Sequence, residues 1–142
     1  MTPPAAPLSE EVERFFTTYR DAFNNGDPAA VAEHIAAPCL LIEREMAVWS
    51  TAAQVLEAMT RLLTVYRESG AERARFVVEG VLPQGGTDVV ANVAWTIDRS
   101  DGRESWNFRT GYNLRRIAGT WRIVCFTAYQ EGGCDSARIE AG

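Results

Sequence analysis

A chain of 142 residues, 46% hydrophobic and 23% charged, has the size and composition of one folded domain, which excludes a mostly disordered polypeptide. A net charge of −5 argues against nucleic-acid binding, where affinity rests on neutralising phosphates. Nowhere do about 18 apolar residues run together, so no membrane span is expected, and the start MTPPAAPL has neither the basic nor the apolar part of a secretory signal. Three cysteines (Cys39, Cys125 and Cys134) are too few and too scattered for a disulfide framework, so a reducing cytoplasm is the expected setting.

Residues 1–8 read as a Pro- and Ala-rich tail. Ser9 offers an N-cap, and Glu10 and Glu11 place negative charge where a helix dipole favours it. Val12, Phe15, Phe16, Tyr19, Ala22 and Phe23 then form one apolar stripe of a first helix, which Asn24-Asn25-Gly26 ends. Asp27-Pro28 caps and opens a second, short helix, with Pro38 expected to close it. Residues 39–43 (CLLIE) read as a strand, with a short extended piece around 46–49. Thr51 to Gln54 has the form of a capping box for a third helix, whose stripe runs through Val55, Leu56, Met59, Leu62, Leu63 and Tyr66 to Gly70.

The second half changes period. Residues 72–82, 87–98, 103–117 and 120–130 are rich in Val, Ile, Thr and aromatics, and short Gly-containing turns join them. Short connections dictate antiparallel neighbours, so a four-stranded meander is expected, with the helices on one face. In the third of these strands Trp106, Phe108, Tyr112 and Leu114 share one face, opposite Asn107, Arg109, Asn113 and Arg115. The last strand looks apolar on both faces, with Trp121, Ile123 and Cys125 on one and Val124, Phe126 and Ala128 on the other. One face can cover the helices; the other asks for a second cover, such as a partner subunit. The single domain is therefore expected over residues 9–130, with a second tail at 131–142.

The string YRDAFNNGDPAAVAEHIAAPCLLIE (19–43), then a helix, then four strands ending in GTWRIVCF, resembles the nuclear transport factor 2-like superfamily. This group includes ketosteroid isomerase, the polyketide cyclases, scytalone dehydratase and limonene epoxide hydrolase. The resemblance implies an α+β, cone-shaped, barrel-like fold, with three N-terminal helices packed on a bent, mainly antiparallel sheet. It also implies a homodimer joined through the sheet and a pocket at the open end of the cone. Ketosteroid isomerase moves a proton with a carboxylate and stabilises the enolate oxygen with a Tyr and a neutral Asp. Laid on its motifs without a gap, Tyr19 falls on the oxyanion Tyr and Glu43 on the catalytic carboxylate. The strand that should carry the neutral Asp offers Thr110 and Tyr112 and no carboxyl, which departs from the isomerase.

The candidate catalytic residues are therefore Glu43, Tyr19 and Tyr112, with Phe15, Trp49, Trp95, Trp106 and Phe108 as candidate lining of a pocket for a flat, apolar molecule. Two readings stand side by side. In one, the protein does cofactor-free acid–base chemistry (isomerisation, dehydration or hydrolysis) on a small hydrophobic molecule. In the other, the aromatics fill the cone and the chain is a non-catalytic homodimeric binding module. His34 is the sole histidine, so no multi-His metal site is expected, and a packing role is preferred for it. Cys125 reads as core filler. Arg109 and Arg115, opposite Trp106 and Phe108, read as charges facing away from a pocket.

Overall fold

The structure is a computed structural model, and it describes residues 7–100 and 102–129. The elements in chain order are α1 (Leu8–Asn24), α2 (Pro28–Ala32), β1 (Ile35–Ile42), β2 (Met46–Trp49), α3 (Ala52–Glu68), β3 (Ala71–Gln84), β4 (Asp88–Arg99), β5 (Trp106–Ile117) and β6 (Thr120–Tyr129). The six strands form one unclosed sheet in the order β2-β1-β6-β5-β4-β3. All neighbours are antiparallel except β1 and β6, which run parallel. This is the α+β arrangement expected. The tails expected at 1–8 and 131–142 lie outside the described residues, apart from Pro7 and Leu8. Among the described residues no helix is long and apolar enough to cross a membrane.

Helix α1 starts earlier than the sequence suggests. Its N-cap is Pro7 rather than Ser9, and no side chain caps it; the Pro7 carbonyl accepts from the backbone N–H groups of Glu10 and Glu11 at 2.9 and 3.2 Å. Proline fits there because its fixed φ of −54° and extended ψ of 144° turn the carbonyl toward the helix. At the other end Asn24 clasps the sheet. Its side-chain oxygen accepts from the Ala74 N–H at 2.8 Å, and its amide nitrogen donates to the Ala74 carbonyl at 3.2 Å. These two bonds tie α1 to β3 across fifty residues of sequence.

Helix α2 is shorter than expected. Asp27 caps it through the Ala30 N–H at 3.1 Å, but it ends at Ala32, and Pro38 sits inside strand β1 instead of closing the helix. Long-range pairing overrides the local signal here. Ile35 pairs with Ile123 and Leu40 with Cys125, and the register shifts between them, where Pro38 has no N–H to give to the ladder. The cap of α3 follows the sequence closely: Thr51 accepts from the Gln54 N–H, while the Gln54 side chain accepts from the N–H of Ser50 at 2.6 Å.

The last strand resolves differently from its alternation. The register of β6 against β5 slips between Asn113 and Leu114, so Leu114 pairs with Ile123 and Asn113 with Cys125. This bulge passes over Val124 and returns Phe126 to the face already held by Trp121 and Ile123. The two apolar faces read from the sequence are thus largely one face with a one-residue insertion. The helix-side core holds Val12, Phe16, Val31, Val89, Val93 and Ile123, each fully buried.

Candidate functional site

A cavity of about 460 Å³ lies between α1, α3 and the concave face of the sheet. That volume is within the range of small-molecule sites, so the cone is not packed shut. Sheet register explains how remote residues reach it. Leu41, Phe126 and Tyr112 are successive Cα partners across β1, β6 and β5, and Trp95 pairs with Phe108 across β4 and β5. All five side chains line the cavity.

The three candidate catalytic residues come together at this space. Tyr19 enters from α1, Tyr112 from β5, and Glu43 from the bend immediately after β1. The rings of Tyr19 and Tyr112 lie 6.2 Å apart, near perpendicular at 77°. The Trp95 indole N–H donates to the Tyr112 hydroxyl at 2.8 Å, in a buried bond. Because indole can only donate, the Tyr112 oxygen accepts here and its own O–H is directed elsewhere. Glu43 presents a buried carboxylate oxygen, Oε2, that has no hydrogen-bond partner among the described residues. An unsatisfied carboxylate oxygen at a cavity wall is costly, and a ligand or water that donates to it removes the cost.

Trp49, Trp95 and Phe108 line the cavity, whereas Phe15 and Trp106 do not. Phe15 lies one residue from the buried Phe16, about 100° further round the helix, and packs toward α2 with its ring 5.3 Å from His34. Trp106 is the first residue of β5, outside the cavity, with the Arg99 guanidinium 4.3 Å above its ring and Tyr66 at 5.9 Å. The sequence reading missed Met59, Arg61, Leu62 and Tyr66 of α3 as wall residues, and Phe126 of β6. The signal was present: Met59, Leu62 and Tyr66 form the α3 stripe, and Arg61 sits beside it. Thr110, beside Tyr112 on β5, is buried and also lines the wall.

His34 has a packing role. Its Nδ1 is 2.8 Å from the Ala30 carbonyl, which can only accept, so that nitrogen carries the hydrogen. Its Nε2 is 2.8 Å from the Thr18 hydroxyl, and the pair pins α2 against α1. Cys39 is buried, and burial, reinforced by the neighbouring Cys125, pushes its thiol up to about 12. A thiol that stays protonated at neutral pH is no nucleophile.

Charged residues on the outer face of the sheet pair with one another. Arg109 donates to Glu79 at 2.6 Å and Arg75 to Asp98 at 2.8 Å, and each guanidinium holds its partner's carboxyl below the ordinary carboxylate range. Arg115 pairs with Asp88 at 3.2 Å. All lie across the sheet from Phe108 and Tyr112, so no Asp–Arg network of the epoxide-hydrolase kind forms in the cavity from them.

No functionally curated protein matches this chain in sequence. Solved structures match it in shape. A domain of unknown function with a cystatin-like fold from Nostoc punctiforme superposes with TM-score 0.73 at 12% identity, covering 92% of this chain and 81% of that one. An NTF-2-like protein of unknown function from Shewanella oneidensis gives TM-score 0.68 at 13% identity, over 86% of this chain and 98% of that one. A ketosteroid isomerase-like protein from Erwinia carotovora atroseptica gives 0.66 at 18% identity, over 87% and 96%. At such identities the likeness establishes the fold alone. Residues 9–131 match the family described as NTF2-like protein (DUF6841), and with the α+β cone just described, the chain belongs to that family.

Proposed function

We propose that the protein binds a small hydrophobic molecule in this cavity and carries out cofactor-free acid–base chemistry on it, with Glu43 as the base. The buried Oε2 of Glu43, without a hydrogen-bond partner among the described residues and at the wall of an open apolar cavity, carries this reading. In the isomerase-type reaction, Glu43 takes a proton from the carbon next to a ligand carbonyl. Tyr19 and Tyr112 donate to the oxygen on which negative charge develops, and Glu43 returns the proton at a second carbon. The same groups suit dehydration or hydrolysis of a polyketide- or terpenoid-like compound. The ketosteroid isomerase-like neighbour supports this class, and the open cavity weighs against the packed-cone alternative.

Trp49 and Trp95 both face the cavity, so ligand entry is readable as a change in tryptophan emission. Titration with a flat aryl ketone such as 2-acetylnaphthalene is expected to give saturable quenching. Absence of saturation up to the solubility limit, across a panel of bicyclic ketones, would remove the cavity as a binding site.

The chain is further proposed to pair with a second copy through the outer face of the sheet. Val48, Leu40, Cys125, Asn113, Val90 and Leu82 are successive Cα partners that run across all six strands on this face. Five of the six are apolar, and Val48 and Leu82 are 58% and 61% exposed. Covering such a row is what a self-complementary interface does. Sedimentation equilibrium is expected to give twice 15.7 kDa, and Leu82→Lys to shift the mass toward the single chain. A native chain that sediments as a monomer at tens of micromolar would refute the pairing.

A further inference from the structure

We infer that the molecule held in the cavity is a hydrophobic monocarboxylic acid whose carboxylate docks on Arg61; this deepens the reading of the cavity as a ligand site and rests on it. Of the described residues that line the cavity, only Glu43 and Arg61 carry formal charge. No ion pair joins them among the described residues. Glu43 Oε2 has no hydrogen-bond partner there, and Arg61 pairs with Glu57, one turn back on α3. That pair spans 3.7 Å, well beyond the roughly 2.7–2.9 Å of a charge-assisted hydrogen bond. The side chains of Arg61 and Glu57 are 60% and 74% exposed, so the guanidinium is held loosely.

Arg61 lies on α3 between Met59 and Leu62, both wall residues. Arg61 thus borders the cavity while its side chain is 60% exposed, so it belongs to the margin between apolar wall and water. A planar, bidentate acceptor fits the forked N–H donors of a guanidinium better than a point acceptor does, and a carboxylate is the simplest group of that shape. All 14 basic residues of the chain are arginine, so what sets Arg61 apart from the others is its place at the cavity. The chain as a whole carries a net charge of −5, and this guanidinium is the one cation among the described residues lining the cavity. The bare carboxylate of Glu43 repels a second anionic group on the same ligand, which selects monoacids over diacids.

The test compares 2-naphthylacetic acid with its methyl ester by tryptophan quenching at low salt. The acid is expected to bind roughly tenfold more tightly than the ester, as one charge-assisted hydrogen-bonded contact at a partly exposed site provides. Added salt should shrink the preference, because Arg61 is open to solvent. Arg61→Gln should abolish the preference, bringing the affinity for the acid down to that for the ester measured on the same variant. Glu57→Gln, which frees the guanidinium, should strengthen acid binding a few-fold. Both side chains are exposed, so neither change threatens the fold. An ester that binds as tightly as the acid, or a preference that survives Arg61→Gln, overturns the carboxylate assignment while leaving the cavity intact. If neither compound binds, the carboxylate assignment and the cavity's role as a ligand site fall together.

Discussion

Replacing Glu43 by Gln is expected to slow proton transfer in the cavity by about 10²–10⁴-fold, the usual contribution of a positioned general base. Gln keeps the length and shape of Glu but has no oxygen that can take and release a proton at neutral pH. The buried Oε2 has no partner among the described residues, so the substitution breaks no hydrogen bond between them and that atom, and affinity for this neutral ketone should change little. Hydrogen–deuterium exchange at the methyl group next to the carbonyl of the ketone, 2-acetylnaphthalene, followed by proton NMR, reads the step directly. The native protein should exchange it faster than buffer, and Glu43→Gln should return it near the buffer rate. Full exchange by the variant would remove Glu43 as the base. Exchange by neither protein, with binding intact, would leave a binding module without acid–base chemistry. The phenols make the experiment sensitive. Tyr112 is held by the Trp95 N–H at 2.8 Å, so the phenol proposed to donate to the developing oxyanion is already oriented before a ligand arrives.

The largest stability effect is expected at Phe16. Its side chain is fully buried, with ring centroids at 4.8 Å from Tyr112, 5.1 Å from Phe15, 6.1 Å from Tyr19 and 6.2 Å from Phe76. It is thus the point where α1, β3 and β5 meet. Phe16→Ala should cost about 3–5 kcal/mol, combining lost burial with the cavity left behind. Those neighbours belong to three elements held by the sheet and by the Asn24 clasp, so they have little freedom to collapse inward. A domain of this size is stable by only about 5–15 kcal/mol, so the variant should unfold at a far lower urea concentration. A loss below about 1 kcal/mol would show that α1 settles into the vacated space. The change should also loosen Tyr112, which leans on Phe16, and so weaken ligand binding along with stability.

Phe16 and Glu43 differ in how visible they were in the sequence. The stripe of Val12, Phe16 and Tyr19 makes α1 legible because a 3.6-residue period is a property of the chain itself. The same holds for the strand β5, where Phe108, Tyr112 and Leu114 alternate with Asn107, Arg109 and Asn113 as burial confirms. Turn chemistry was equally local: Ala118 and Gly119 at φ of 51° and 81° make the tight reversal between β5 and β6. The family resemblance put Tyr19 and Glu43 forward, Tyr112 was offered by the strand that departs from the isomerase, and the structure brings all three to one cavity. Phe15 and Trp106 were misplaced because hydrophobicity says that a ring is buried, not against what it is buried.

By itself, then, the sequence determined three helices, four long strands, their turns and the inward faces of α1 and β5, because each depends on spacing within a few residues. Tertiary structure alone decided the parallel seating of β1 on β6, the slip near Val124 that folds two apparent faces into one, and the admission of Pro38 to a strand. It also decided that the cone stays open and that Arg61 borders it. The seating of β1 and of Pro38 depends on pairing between segments more than eighty residues apart, and the slip on the register of β5 against β6; in both, register and not local period sets which side chains meet.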